Sequence, residues 1–311
     1  MIKIALLIIY NHRYDKNISR IEDLYAERFS HLYHVIPFYN GDKPNVLPVY
    51  ESSYQFQSYI AQAYAQLEKS IEKEQFSHFF IVADDMIINP EITEDNIFDF
   101  TGIKENECYL ISIKDISKER LPMSQFHTIS SYNIKKRGVE IENILPSFCE
   151  AAEKMRLYGI DTFQFRWRYL IRHLIYLVIS FCRKKHKKYQ IKMIYRTFTM
   201  LLLRKKFDYP IVWGGSDCLL LTKQIMPKFC TYCGAFASSE LFVEFAIPTA
   251  LILSADKIVT NRELKLDCIS QLYTVDEKAF CEKYKYQLSH LLESYPPNMF
   301  FIHPIKLSQW I

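Results

Sequence analysis

The feature that most constrains the fold of this chain is an apolar run over residues 78–83 that ends on two adjacent aspartates, Asp84 and Asp85. The chain then turns at Asn89 and Pro90. An apolar run of this length, bounded by turn residues, predicts a buried strand. Carboxylates at the end of a buried strand cost free energy unless a partner neutralises them, and a divalent cation is a common partner. A helix cap or a turn is the alternative role for this pair.

Strands and helices alternate in the first part of the chain. Predicted strands cover residues 3–10, 34–38 and 78–83, and amphipathic helices lie near residues 16–32 and 52–71. This β-α-β-α-β order with short connections predicts an α/β fold with a mixed, mainly parallel sheet flanked by helices. Ligands of such sheets bind at the carboxyl ends of the strands.

Polar side chains follow the first and third predicted strands, and they are Tyr10, Asn11, Asp84 and Asp85. Late in the chain, His303 ends another apolar segment and Lys306 follows it. Imidazole is an ordinary ligand of Mn²⁺-like ions, and lysine neutralises phosphate. A buried core histidine beside a surface lysine would give the same pattern.

A glycine pair in the second half of the chain marks a candidate acceptor site. Gly214 and Gly215 permit close approach of the backbone to a ligand, and Ser216 and Asp217 follow them. Asp217 is a candidate general base for a hydroxyl group, and Trp213 suits stacking on a sugar ring. The alternatives are a tight turn into a strand, capped by Asp217, and a core position for Trp213.

Two further carboxylates lie in a mostly apolar segment that predicts a helix over residues 239–253. Glu240 and Glu244 are four residues apart, so they would share one face of that helix. Either is a second candidate base or an acceptor for substrate hydroxyls. One solvated helix face is the alternative interpretation.

Positive charge is concentrated in residues 161–206. This segment has 13 Lys and Arg and one acid, Asp161, so its formal charge is +12, and the rest of the chain carries −8 of a total of +4. An aromatic, amphipathic and basic helical segment predicts contact with an anionic membrane surface. Nucleic acid is not predicted, because no recognised nucleic-acid motif accompanies the charge. A solvated helical hairpin remains the alternative.

The compartment is predicted to be the cytoplasm. The first ten residues lack a small-residue cleavage site and predict a strand instead of an export signal. The 8 cysteines are scattered, which fits free thiols in a reducing compartment.

The strand ending in Ala83-Asp84-Asp85, the Gly-Gly-Ser-Asp turn and the late His303 with Lys306 together resemble GT-A glycosyltransferases, of the bacterial O-antigen or capsular polysaccharide type. The resemblance implies a GT-A-like (Rossmann-like) fold and a metal site on Asp84, Asp85 and His303 that holds the donor diphosphate. It also implies a nucleoside contact from Tyr10 and Asn11, and an acceptor-side role for Asp217. Ala83 occupies the place of the first acid of a strict D-x-D motif, which leaves the separate roles of the two aspartates open.

The expected function is therefore transfer of a sugar from a nucleotide-sugar donor, UDP-linked, to a hydroxyl of a lipid-linked bacterial surface glycan, with Mn²⁺ or Mg²⁺. Residues 1–160 would bind the donor, 161–206 would be a basic helical insertion at the inner membrane face, and 207–311 would bind the acceptor. Asp85 and His303 are then expected within coordination distance of one ion. A sugar nucleotidyltransferase and a non-catalytic membrane-associated partner protein are the alternatives.

Overall fold

A computed structural model of the chain describes residues 2–119, 121–135, 140–183, 187–264, 266–272 and 275–311. The first half of the chain forms six strands and five helices. In chain order these are β1 (Ile4–Ile9), α1 (Ile18–Tyr25), β2 (His31–Pro37), β3 (Val46–Val49), α2 (Phe56–Glu74), β4 (His78–Ala83), β5 (Ile87–Ile88), α3 (Ile97–Thr101), β6 (Cys108–Leu110), α4 (Met123–Ser131) and α5 (Phe148–Arg156).

The second half contains four strands and six helices in the described residues. They are α6 (Trp167–Arg183), α7 (Lys187–Leu203), β7 (Cys218–Thr222), α8 (Met226–Ser238), α9 (Val243–Ser254), β8 (Ile258–Val259), β9 (Asp267–Ile269), α10 (Glu277–Lys283), α11 (Leu288–Glu293) and β10 (Met299–Ile302). The predicted α/β class is confirmed as a mixed, mostly parallel sheet with flanking helices.

The main sheet has seven strands in the order β3-β2-β1-β4-β7-β6-β8. Strand β7 runs antiparallel to both of its neighbours, β4 and β6. The other neighbouring pairs are parallel. Because β7 is reversed, the residues that precede it lie beside the residues that follow β4.

Helices cover both faces of this sheet. In β1, Leu7 packs into a hydrophobic cluster that contains residues of α2 and α8. Its neighbours Leu6 and Ile8 pack into a second cluster with α1, α11 and β10. Alternate side chains of a strand point to opposite faces, so a strand covered on both sides must be apolar throughout. This explains the uninterrupted apolar sequences of β1 and β4.

A second, three-stranded sheet has the order β5-β10-β9. Strand β10 pairs antiparallel with β5, which directly follows the two aspartates. This pairing brings the end of the chain back to the end of β4. The short strands β3, β5, β8 and β9 were not expected from the sequence, because two- to four-residue strands carry too few residues for a pattern.

The basic segment forms two consecutive helices, α6 and α7, that pack against each other. Gln190 of α7 donates a side-chain hydrogen bond to Ser180 of α6 at 3.1 Å. Within the predicted insertion over 161–206, residues 184–186 lie outside the described residues. None of the described helices has the length and apolar composition needed to cross a bilayer.

The segment between β6 and β7 leaves and re-enters the sheet at neighbouring strands. Lys114 and Trp213 hold its two ends together with reciprocal backbone hydrogen bonds of 2.7 and 3.1 Å. The segment from residue 115 to residue 212, including α4 to α7, is therefore one excursion that is closed at its base.

Candidate functional site

A cavity of about 700 Å³ lies at the carboxyl ends of β1 and β4. Seven chain segments meet there: those that follow β1, β4, β9 and β10, the one that precedes the reversed strand β7, and those at the starts of α2 and α9. The sequence-predicted residues in its lining are Asn11, Asp84, Asp85, Ser216, Asp217, Glu244, His303 and Lys306. The topology thus brings residues from the start, middle and end of the chain to one sheet edge.

Asp84 is a buried carboxylate, with 8% of its surface exposed. Burial and the negative charge of Asp85 raise its pKa to about 7, although hydrogen bonds from Asn17 and from the backbone N–H of Asn11 oppose the shift. Two adjacent carboxylates at a buried strand end therefore repel each other at neutral pH. A cation near them would relieve this repulsion.

Asp85 forms an ion pair with His303, whose Nε2 atom lies 3.2 Å from Oδ1 of Asp85. The other ring nitrogen, Nδ1, donates to the carbonyl oxygen of Ser270 at 2.8 Å. Burial disfavours the charged imidazole, but the hydrogen bond to Asp85 and the charges of Asp217 and Asp85 outweigh it and raise the pKa of His303 to about 9. In the free protein His303 is therefore an imidazolium that donates from both nitrogens.

Asp217 lies directly before β7 and beside the end of β4, where its carbonyl oxygen accepts a hydrogen bond from the N–H of Ala83 at 2.9 Å. Burial raises the pKa of Asp217, the positive charge of His303 lowers it, and the charge of Asp85 raises it. The side chain lines the cavity together with Ser216. A carboxylate of raised pKa that faces a cavity has the properties of a general base.

Asp85 and Asp217 thus both act on His303, and Asp84 lies beside Asp85 at this edge of the cavity. Among the described residues, no group of three or more His, Cys, Asp and Glu side chains is arranged to hold a metal ion. The predicted set of Asp84, Asp85 and His303 therefore supplies one contacting pair, Asp85 and His303, with Asp84 beside it. Oxygen and imidazole donors with excess negative charge fit Mn²⁺ or Mg²⁺ chemically, and phosphate oxygens and water complete such shells.

Glu244 lies in the cavity wall, but its carboxylate accepts hydrogen bonds from two other side chains. Its Oε2 atom accepts hydrogen bonds from Nε1 of Trp213, at 2.8 Å, and from the amide of Gln125. Burial raises the pKa of Glu244, and these two bonds lower it in part. Trp213 does not line the cavity; Nζ of Lys114 lies 4.7 Å from its ring centroid. The indole is therefore held by the protein and positions the segment that leads to Asp217.

The two glycines before Ser216 approach other parts of the protein, and neither lines the cavity. A Cβ atom at Gly214 would overlap the carbonyl oxygen of Ser112, and one at Gly215 would lie 2.9 Å from Cβ of Ile111. The N–H of Gly214 donates to the carbonyl oxygen of Glu244 at 2.9 Å. Their small size therefore serves packing of the backbone beside β6, and not the close approach to a ligand that the sequence predicted.

Two more predicted site residues, Tyr10 and Glu240, lie outside the cavity lining. Tyr10 is fully buried, and its hydroxyl lies 2.8 Å from Nδ1 of His34, so the expected nucleoside contact does not fit its position. Glu240 has a positive φ of 58°, and α9 begins only at Val243. The prediction that Glu240 and Glu244 share a helix face is therefore wrong, because the helix starts after Glu240.

Aromatic residues that the sequence analysis did not select line the same cavity. The ring of His12 contacts Tyr14 and Tyr54 edge-on, with centroids 5.6 and 6.4 Å apart. Tyr14 is 47% exposed and Tyr54 is 55% exposed. His12 and Tyr14 follow β1 so closely that their place at the sheet edge was accessible from the sequence. Tyr54 was not, because it reaches the cavity from the loop before α2.

The sequence matches no protein-family model, and no curated protein matches it significantly. Among solved structures, the chain has a likeness to a glycosyltransferase involved in the glycosylation of the major capsid of PBCV-1, with a TM-score of 0.24 and 14% sequence identity. The match covers 38% of this chain and spans just over half, 55%, of that protein. Since so slight a likeness assigns neither fold family nor function, the site itself has to define the class: an α/β protein with an acidic cavity at the carboxyl edge of its sheet.

Proposed function

We propose that this protein is a metal-assisted glycosyltransferase that transfers a sugar from a nucleotide-sugar donor to a hydroxyl group. The observation that carries the proposal is the contact between Asp85 and His303, beside Asp84 and Asp217, in a cavity of about 700 Å³. A cavity of this size accommodates a ligand as large as a nucleotide sugar. Excess carboxylate at a strand edge fits a cation-bound diphosphate better than an uncharged ligand.

The donor is assigned to the side of the cavity formed by the segments after β1 and β4. Exposed rings that can pack on a nucleobase or ribose come from His12, Tyr14 and Tyr54. Asp85 and His303 would hold Mn²⁺ or Mg²⁺, with Asp84 as a further oxygen donor. When bound, the ion would stabilise the negative charge of the leaving diphosphate. Lys306 lines the same cavity and would add a positive charge toward a phosphate group.

The acceptor is assigned to the side of the cavity that contains Asp217. For a reaction that inverts the anomeric centre, Asp217 would take the proton of the attacking hydroxyl group. Glu244 is a poorer base because Trp213 and Gln125 already donate to its carboxylate. Its role in this proposal is to fix the position of Trp213 and thereby of the segment that carries Asp217.

The helices α6 and α7 are assigned to an anionic membrane surface at the inner face of the cell membrane. Each helix has an apolar stripe on the side away from the hydrophobic core, and the members are 47% to 72% exposed. This exposed hairpin face consists of Ile175, Val178 and Ile179 of α6 and Ile191, Tyr195, Phe198 and Leu202 of α7. Apolar stripes on basic helices suit the boundary between headgroups and acyl chains. A lipid-linked glycan is the acceptor that this location favours, and UDP-linked sugars are the donors to test first.

The proposal is tested by a panel of nucleotide sugars in thermal unfolding, with and without Mn²⁺. A bound donor raises the melting temperature by mass action, and we expect at least one nucleotide sugar to do so only with the ion present. Asp85→Asn should abolish this effect. The matched control is Asp42→Asn, which changes an exposed aspartate in a turn. Loss of the effect in both variants, or in neither, would contradict the assignment.

The same panel separates the proposal from a sugar nucleotidyltransferase. That enzyme would be stabilised by a nucleoside triphosphate with a sugar phosphate, and it would release pyrophosphate. The proposed transferase would instead release a nucleoside diphosphate when a hydroxyl acceptor or water attacks the sugar. A non-catalytic partner protein would do neither, and Asp85→Asn would leave its nucleotide binding unchanged.

A further inference from the structure

A second cavity, of about 730 Å³, lies between residues 117–119, 121 and 122 on one side and the first half of α6 on the other. It is separate from the acidic cavity and has the opposite character. Its lining combines guanidinium groups with rings, and the residues that matter are Arg166, Arg168, Tyr169, Arg172, His173 and Tyr176. We refer to it as the arginine cavity.

The arginines of the arginine cavity outnumber the one acid among its described lining residues, Glu119. Within the part of the chain that the structure describes, no ion pair involves Arg166, Arg168 or Arg172. Lys118, which also lines the cavity, is paired with Asp115 at 2.9 Å. The arginines therefore leave an excess of positive charge at one place, and planar guanidinium groups match the oxygens of phosphate.

A buried imidazole in the same lining is the second observation. His173 is only 9% exposed, and among the described residues its Nε2 atom has no hydrogen-bond partner. Its ring contacts the rings of Phe126, with centroids 3.9 Å apart, and Tyr169, with centroids 5.8 Å apart, and those two rings also contact each other. Burial lowers the pKa of His173 to about 4, so the ring is neutral and can offer one N–H to a ligand. The Nε2 atom is itself enclosed, so an anionic oxygen could reach it only if the surrounding side chains moved, and the arginines make the direct contacts with a ligand in the cavity.

We propose that the arginine cavity binds the phosphate or diphosphate group of an amphiphile. The apolar part of the ligand is assigned to the exposed hairpin face, because Tyr176 of the cavity wall lies on the same helix as Ile175, Val178 and Ile179. A ligand with its phosphate in the cavity and its hydrocarbon chain along α6 would explain both the positive charge of the arginines and the apolar surface of the exposed hairpin face. That this amphiphile is the acceptor lipid rests on the proposed function; phosphate binding itself does not.

Helix α4 connects this cavity to the acidic one. Gln125 donates to Glu244 in the wall of the acidic cavity, and the next residue, Phe126, packs on His173 in the wall of the arginine cavity. An amphiphile held by its phosphate in the arginine cavity would therefore lie one helix away from Glu244 in the wall of the acidic cavity. This placement suits an acceptor whose sugar extends beyond its phosphate.

The test measures binding to the full-length protein by calorimetry, in EDTA so that no divalent cation contributes. The probes are inorganic diphosphate and vesicles of phosphatidylcholine with or without phosphatidic acid. We expect the variant with both Arg168→Gln and Arg172→Gln to lose at least about tenfold in affinity for diphosphate and for phosphatidic acid vesicles. The control, with both Lys205→Gln and Lys206→Gln, removes the same charge from exposed positions of the same segment, outside this cavity. Its diphosphate affinity should be unchanged.

Three outcomes would overturn the inference: no diphosphate binding by the unaltered protein, equal losses in both double variants, or no loss in either. Binding of diphosphate with no dependence on phosphatidic acid would overturn the amphiphile and leave a soluble anion as the ligand. Asp85→Asn separates this inference from the proposed function. It should keep diphosphate affinity in EDTA while it loses ion-dependent stabilisation by a nucleotide sugar.

Discussion

The Nε2 atom of His303 lies 3.2 Å from Oδ1 of Asp85, although the two residues come from opposite ends of the chain. The pairing of β10 with β5 makes this contact possible, since β5 follows the aspartates and His303 follows β10. The backbone reinforces it, because the N–H of Ile305 donates to the carbonyl oxygen of Asp85 at 2.6 Å. An imidazole held in this way is positioned before any ligand arrives.

Replacing His303 by glutamine should separate ion binding from folding. The amide keeps a hydrogen-bond donor near Asp85 but is a weak ligand for Mn²⁺. We expect the transfer rate to fall by at least about a hundredfold at low Mn²⁺. A weakly bound ion would stabilise the negative charge of the leaving diphosphate less, and a loss of this kind has about that effect on a rate. The measurement is release of nucleoside diphosphate over a Mn²⁺ titration. Recovery at high Mn²⁺ would support a ligand role, and an unchanged Mn²⁺ dependence would refute it.

Asp217→Asn should remove the proposed base and leave donor binding intact. The expected fall in kcat for transfer to a hydroxyl acceptor is on the order of a hundredfold to ten-thousandfold, the usual contribution of general-base catalysis. Thermal stabilisation by the donor with Mn²⁺ should be retained. Asp42→Asn, at an exposed position outside the cavity lining, is the control. A variant with unchanged kcat would mean that Asp217 is not the base, as expected for a retaining mechanism.

The exposed hairpin face predicts which side chains insert into a membrane. Tyr195 is 72% exposed and Phe198 is 48% exposed, so changing either to serine should not unfold the protein. Since burial of an aromatic side chain contributes about 1.5–3 kcal/mol, each change should weaken binding to anionic vesicles by roughly tenfold or more. The matched control is Tyr50→Ser, because Tyr50 is 65% exposed at the end of β3. Flotation of protein with vesicles measures the effect, and equal loss in the control would refute it.

Acid should destabilise the protein through His34. This histidine is fully buried, with its Nδ1 atom 2.8 Å from the hydroxyl of Tyr10. Burial lowers its pKa to about 4, against the opposing charge of Glu22. Below pH 6.5 the unfolded chain binds a proton that the folded chain does not bind. Stability is therefore lost as pH falls from about 6.5 to about 4, by up to about 3 kcal/mol.

Urea unfolding between pH 7 and pH 4.5 checks this expectation. His34→Gln keeps a polar side chain beside Tyr10 but has no titrating group at that position. Its free energy of unfolding should depend less on pH than that of the unaltered protein. If the free energy of unfolding changes with pH equally in the two proteins, groups other than His34 cause the acid sensitivity.

Alanine substitutions at Gly214 and at Gly234 should change the stability of the protein in opposite directions. Gly214→Ala should cost at least about 2 kcal/mol, because the added methyl group would overlap the carbonyl oxygen of Ser112 and displace the segment before Asp217. Gly234 lies inside α8 with no atom within 4 Å of an added Cβ. Gly234→Ala should therefore stabilise the protein by about 0.5–1 kcal/mol. Urea unfolding distinguishes them, and changes of the same sign would contradict the packing interpretation.

The sequence allowed the meeting of Asp84, Asp85 and Asn11 to be predicted, because strand ends on a parallel sheet share an edge. His303 was selected from its residue type and its apolar flank, and the pairing that delivers it was not foreseen. Such short strands pair across long stretches of chain, and no local pattern encodes their partners. The reversal of β7 was missed for the same reason, although it decides where Asp217 lies.

Errors at Trp213 and Gly214 share another cause. Each residue type suits both a ligand contact and an internal contact, and only the neighbours decide between them. The indole of Trp213 bonds to Glu244, and Gly214 lies against Ser112. Neither neighbour is close in sequence, so neither contact could be read from the chain.

The backbone bridge between Lys114 and Trp213 closes the excursion from β6 to β7 at its base. Beyond that bridge, α4 and α5 are tied to the rest of the fold, because Gln125 donates to Glu244 and α5 packs on α9. The helices α6 and α7 pack chiefly on each other. The hairpin that they form is therefore the part of the excursion whose length or sequence could change with the least effect on the strand ends that carry Asp84, Asp85 and His303.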